Sequence, residues 1–211
     1  AGYAVATIRY LKSSADTSGG YDAWGTNDPL DSNTPAFGRY PSWIVDYKLA
    51  AVRIAAKCSL ASGGDNTYPN VDGSRMFATG YSAGGYIALG AAVSKGLTND
   101  GSTRDLTIAG NSTYRDGYTG ADPTFIGAFV YGAPIDMAVA CTWDPTDLNY
   151  GPIINGFNRG TIVAAAQGFI GQSQGSGIPT LTNTNIDNLI ARNVTQNTAA
   201  AIPRIGYSRG T

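Results

Sequence analysis

Two residue types are missing from this 211-residue chain: it has no histidine and no glutamate, so all 15 acidic residues are aspartate. Without histidine the chain has no imidazole to act as a general base, a metal ligand or a proton switch near neutral pH. Glutamate is ordinarily among the commonest residues. The double absence marks an extreme composition, a piece of a longer polypeptide (which accounts for missing motifs but not for missing Glu), or Glu and His standing under other residue types. Cysteine is scarce too, with only Cys58 and Cys141. Two thiols without an imidazole do not assemble a zinc cluster, and no metal or cofactor is expected. No apolar run reaches the roughly 18 residues of a membrane-spanning helix. The 14 basic and 15 acidic residues leave a net charge of −1 and no basic stripe, which argues against nucleic acid or an anionic membrane as a partner.

What remains is rich in Gly, Ser, Thr, Asn and Tyr and has only four lysines. That balance leans towards an extracellular or cell-surface protein. Asn111-Ser112-Thr113 and Asn193-Val194-Thr195 fit the glycosylation sequon. The length suits one domain, residues 1–211, around a single sizeable core. Self-association stays open.

Apolar runs alternate between the two secondary-structure types. Tyr3 to Leu11 is β-branched and aromatic and predicts a buried strand. A polar stretch from Ser13 to Pro41 predicts a long functional loop. Ser42 is placed to cap a helix over Trp43 to Cys58, with Ile44, Tyr47, Ala51, Ile54 and Ala55 on one face. The turn residues from Asn70 to Ser74 introduce a short strand, Arg75 to Thr79. Ala83 to Ser94 is rich in Ala and lacks proline, as a packed helix would. After a polar excursion from Gly96 to Pro123, Phe125 to Tyr131 predicts a second clear strand. Residues 138–198 predict a mostly helical cap or lid, and Ile202 to Tyr207 one more strand. The alternation implies an α/β fold, a mostly parallel open sheet with flanking helices, and ligands at the carboxyl ends of its strands.

At such an end lies Gly80-Tyr81-Ser82-Ala83-Gly84, with the form Gly-x-Ser-x-Gly, the nucleophile elbow of serine hydrolases. In a chain so rich in Gly and Ser, chance supplies roughly 0.25 such matches, so its context carries the inference. A strand before it and a helix after it are that context. Gly80 and Gly84 lack the Cβ atoms that would clash in the reversal, and Gly85 and Ala88 let the helix lie close to the sheet. Ser82 Oγ would then project at the positive end of the helix, as a nucleophile. The Ala83 N–H is one expected oxyanion donor.

Three segments resemble the α/β-hydrolase superfamily, specifically carboxylesterases, feruloyl esterases and tannase-like esterases. They are Gly2 to Tyr10, Val45 to Arg53, and Met76 to Gly85, with Phe125 to Asp136 extending the match. The resemblance implies a serine ester hydrolase that works through an acyl-enzyme on small-molecule or polysaccharide-linked esters. It also implies that a His-Gly-Gly-type oxyanion loop precedes the first segment and that the histidine lies beyond the last. Ile202 to Thr211 resembles the strand leading into the acid loop, so these residues look like the middle of a hydrolase. Some lipases of this fold carry the acid after the strand that Phe125 to Tyr131 resembles, which makes Asp136 a candidate. The same lack of histidine suits a different protein: a non-catalytic surface, adhesion or filament subunit on a degenerate hydrolase scaffold.

Other polar residues read as structural. Asp46 belongs on the exposed side of its helix. A serine–lysine mechanism would need Lys12, Lys48, Lys57 or Lys95 near Ser82, and local spacing puts none there. Cys58 is expected at the amino-terminal side of the sheet and Cys141 beyond a carboxyl end. A seven-residue strand spans about 23 Å, against a Cα separation of about 7 Å at most in a disulfide.

Overall fold

The computed structural model describes residues 2–8, 42–98, 105–114, 117–133 and 203–208. The expected loop 13–41, the expected cap 138–198, Asp136, Cys141 and Asn193 lie outside the described residues.

Three parallel strands form one open sheet in the order β1 (Met76–Tyr81), β2 (Phe125–Tyr131) and β3 (Arg204–Ser208). Two helices flank it, α1 (Ser42–Ala55) and α2 (Ala83–Val93). This is an α/β arrangement. The bounds of β2 are those expected from its apolar run. β1 continues to Tyr81, two residues past the expected end, because Gly80 and Tyr81 still pair with Val130 and Tyr131. α1 includes Ser42 and stops at Ala55, short of Cys58. No helix among the described residues is long and apolar enough to cross a membrane.

Of the strand expected over Tyr3 to Leu11, the described part, residues 3–8, is not strand. Tyr3 (92%) and Val5 (85%) are almost fully exposed. β-branched and aromatic residues favour a pleated, half-buried surface. That preference yields a strand only where a neighbouring edge accepts the backbone, and here no described strand does so.

The core lies between the helices and one sheet face. Ala78, Ala128 and Val130 on the strands meet Tyr86, Leu89, Ala92 and Val93 of α2, with Trp43 and Ile44 of α1 behind them. Every residue of α2 from Gly85 to Val93 is buried, as befits a helix that is apolar all round. Each large apolar side chain so buried stabilises the fold by about 1.5–3 kcal/mol. The polar excursion before β2 contributes too, since Leu106 and Ile108 are fully buried.

On the opposite sheet face Phe77, Tyr81, Phe129 and Tyr131 stand exposed. Two of these rings lie across glycines of the next strand. A Cβ on Gly127 would come 2.7 Å from Phe77 Cε1, and one on Gly206 would come 2.7 Å from Phe129 Cδ2.

α1 carries a lysine in its buried stripe, with Ile44, Lys48 and Ala51 on one side of the helix. Lys48 is fully buried, and Nζ donates to Ser94 O (2.7 Å), Leu106 O (2.7 Å) and Asp122 Oδ2 (2.8 Å). Asp122 also accepts the N–H groups of Gly96 (2.9 Å) and Ile108 (2.8 Å). Three ammonium protons thus meet three acceptors, which is what a buried cation requires. Burial pushes the Lys48 amine below its ordinary value, and the Asp122 carboxylate opposes that shift.

The aspartates have a recurring local use. Asp65, Asp72 and Asp105 each bond the N–H and the hydroxyl of the Thr or Ser two residues on: Thr67, Ser74 and Thr107. A side chain one methylene shorter than glutamate closes such turns against its own backbone.

Candidate active site

Ser82 stands where β1 turns into α2, and its backbone is strained. It has φ +53° and ψ −128°, a region that costs a non-glycine residue on the order of 1–3 kcal/mol. Hydrogen bonds on both sides hold it there. The Ser82 N–H donates to Tyr131 O of β2 (3.0 Å), and Ser82 O accepts from the N–H groups of Gly85 (2.9 Å) and Tyr86 (3.2 Å). A serine at this position normally spends its hydroxyl on capping the helix from an extended backbone. Here the positive φ turns the side chain away, and Oγ makes no cap hydrogen bond. Ser82 is exposed. The strain therefore keeps an exposed serine off the cap at the carboxyl end of the sheet.

The glycines permit the turn at two places. A Cβ on Gly80 would overlap the carbonyl of Gly84 and come 2.7 Å from Gly85 N. A Cβ on Gly85 would come 2.9 Å from Ala133 Cβ and 3.0 Å from Gly80 O. Strand and helix thus touch backbone to backbone. Gly85 has the close-packing role expected of it.

Ahead of the hydroxyl, the first turn of α2 presents free donors. The N–H groups of Ala83 and Gly84 find no acceptor among the described residues. With the helix dipole behind them they favour negative charge at this point. Ala83 thus sits where an oxyanion donor is expected, and Gly84 N–H is a second orphan at the same end.

Around the elbow the strand ends carry tyrosines that the motif alone does not reveal. Tyr81 and Tyr131 stack, with centroids 5.5 Å apart and planes 26° apart. After them Gly132 turns at φ +55°, its N–H donating to Ser208 O of β3 (2.9 Å). Tyr207 hydroxyl donates to Ala133 O at 3.5 Å. The signal available in the sequence was positional: aromatic residues closing two strands in register.

The described lysines are engaged away from Ser82. Lys48 is bonded to Ser94 O at the far end of α2, and 12 residues of helix at 1.5 Å each put that about 18 Å from Ser82. Lys95 follows Ser94 and donates to Thr124 Oγ1 (2.6 Å). Lys57 is exposed and paired with Asp65. Lys12 and Asp136 lie outside the described residues. Asp46 is half-buried on α1. The Cys58 thiol is buried and donates to Ile54 O (3.2 Å). Among the described residues no three His, Cys, Asp or Glu side chains group as metal ligands would.

Comparison with protein-family models, with curated proteins and with solved structures gives no match.

Proposed function

We propose that this chain is the central part of a serine ester hydrolase of the α/β-hydrolase kind, with Ser82 as its nucleophile. The observation that supports this reading most is the strained backbone of Ser82, which keeps its hydroxyl off the helix cap at a helix end where two N–H groups find no acceptor among the described residues. Strain of this kind persists where the surroundings over-determine it, and it clusters at functional sites. In the proposed reaction Ser82 Oγ attacks an ester carbonyl, and the Ala83 N–H receives the developing oxyanion. The alcohol leaves, and water then cleaves the acyl-enzyme. The base is a group from outside these 211 residues, because the chain has no histidine. Asp136 remains the candidate acid within it, and the residues at 138–198 the candidate cap. The substrate is an ester, small or attached to a polysaccharide, met outside the cell.

The missing histidine also favours a second reading, a non-catalytic surface, adhesion or filament-forming protein that retains the elbow. A fluorophosphonate probe on the intact protein separates the two, since it labels only an activated serine. Labelling at Ser82 that is lost in Ser82→Ala, together with a fall in ester turnover of several orders of magnitude, is the expected result. Absence of labelling, or near-wild-type turnover in Ser82→Ala, would refute the esterase reading.

A further inference from the structure

The loop that leaves β2 reaches back to the elbow through one methyl group. Ala133 is buried (4%), and its Cβ lies so close to Gly85 that a Cβ there would be 2.9 Å away. Two further contacts and the residue that follows in sequence fix where that methyl sits. One residue earlier, Gly132 turns at φ +55° and bonds to Ser208 O. The Ala133 carbonyl accepts the Tyr207 hydroxyl from β3. Pro134 follows in the sequence and biases Ala133 towards an extended backbone. Two residues before Ala133, Tyr131 O holds the Ser82 N–H. The same three-residue stretch at the end of β2 and its exit thus touches the elbow twice, at Ser82 through a hydrogen bond and at Gly85 through packing.

From this geometry we infer that Ala133 is a positioning residue for the Ser82 nucleophile: its methyl sets how closely the first turn of α2 approaches the sheet. The inference rests on the esterase reading, and its logic is steric. On the same side of Gly85 stands Gly80 O, 3.0 Å from where a Cβ would be. The first turn of α2 therefore rests, at Gly85, against both the carbonyl of β1 and the methyl of Ala133. A larger side chain at 133 has no room to relax into and pushes Gly85 outwards. The Ser82 carbonyl bonded to Gly85 N–H moves with it, and so does the direction of Oγ. Tyr207 acts at one remove by fixing the Ala133 carbonyl.

The test uses the intact protein and three variants: Ala133→Val, Gly85→Ala, and Gly85→Ala combined with Ala133→Gly. Each is read by the second-order rate of Ser82 labelling with a fluorophosphonate, by its melting temperature and by its crystal structure. Ala133→Val and Gly85→Ala are each expected to slow labelling on the order of 10²-fold, the effect of about 1 Å of misplacement. In the double variant the methyl facing the new Cβ is gone while Gly80 O still lies 3.0 Å from it, and part of the rate should return. A merely structural role would lower the melting temperature without this reciprocal rescue of rate. Wild-type labelling in folded Ala133→Val, or no rescue in the double variant, would overturn the inference. If the wild-type serine does not react at all, the esterase reading fails instead. The crystal structure of Ala133→Val then still decides, because an unmoved Ser82 refutes the positioning role.

Discussion

Replacing Lys48 by methionine removes the cation from the core while keeping a side chain of similar length and apolar stem. The substitution leaves three acceptors without their donor: Ser94 O, Leu106 O and Asp122 Oδ2. Asp122, whose side chain is only 2% exposed, keeps the Gly96 and Ile108 N–H groups but loses its countercharge. Breaking one partner of a buried pair in this way costs about 3–5 kcal/mol, out of a total stability of about 5–15 kcal/mol. At roughly 2–4 °C per kcal/mol for a chain of this size, Lys48→Met should melt about 6–20 °C below the wild type. Urea unfolding followed by circular dichroism measures the loss as a lower midpoint at unchanged slope. The double variant Lys48→Met with Asp122→Asn should be less destabilised than the sum of its singles, by about 0.5–3 kcal/mol. Its amide can keep the Ile108 N–H through oxygen and turn its own NH₂ to a carbonyl that Lys48 has vacated. A loss below about 1 kcal/mol in Lys48→Met, or strictly additive singles, would refute the buried three-way network.

The exposed Asp65 carboxyl is held down to about 2, first by the Lys57 ammonium and then by the Thr67 hydroxyl and N–H. Its folded-state value lies below the unfolded one, so its contribution is present above the ordinary carboxyl value of 3.8 and lost as pH falls towards 2. Carboxyl carbon shifts should show its midpoint near 2, and a midpoint near 4 would refute the turn geometry. Asn111 is buried, and its Nδ2 donates to both Asp105 O (2.9 Å) and Thr107 O (2.8 Å). A glycan on that nitrogen is incompatible with closing the 105–111 turn. Folded protein secreted from a glycosylating host should carry none at this sequon, and peptide mapping that finds one would refute this placement.

What the chain disclosed in advance depended on how local each interaction was. The strand Phe125–Tyr131 and the elbow around Ser82 were legible because their apolar runs and glycines act on near neighbours. The stretch Tyr3–Ile8 misled, because strand propensity describes a side chain's fit to a sheet and not whether an edge is available. Lys48 was invisible as a core residue. Its acceptors lie 46, 58 and 74 positions away, and nothing in the spacing of α1 distinguishes a buried ammonium from a solvated one. Ala133 was hidden likewise, since its importance comes from a helix turn 48 positions earlier.

The burial of α2 from Gly85 to Val93 has a kinetic consequence. A helix enclosed on every side cannot fray alone, so its amides should open only when the domain opens. Ser82, the proposed nucleophile, is mounted on the end of that helix. Heat would then leave the direction of the Ser82 hydroxyl intact until cooperative unfolding begins, and reactivity and ellipticity should vanish together. A protein built this way loses the geometry of this turn all at once, with no prior stage in which it is merely loosened.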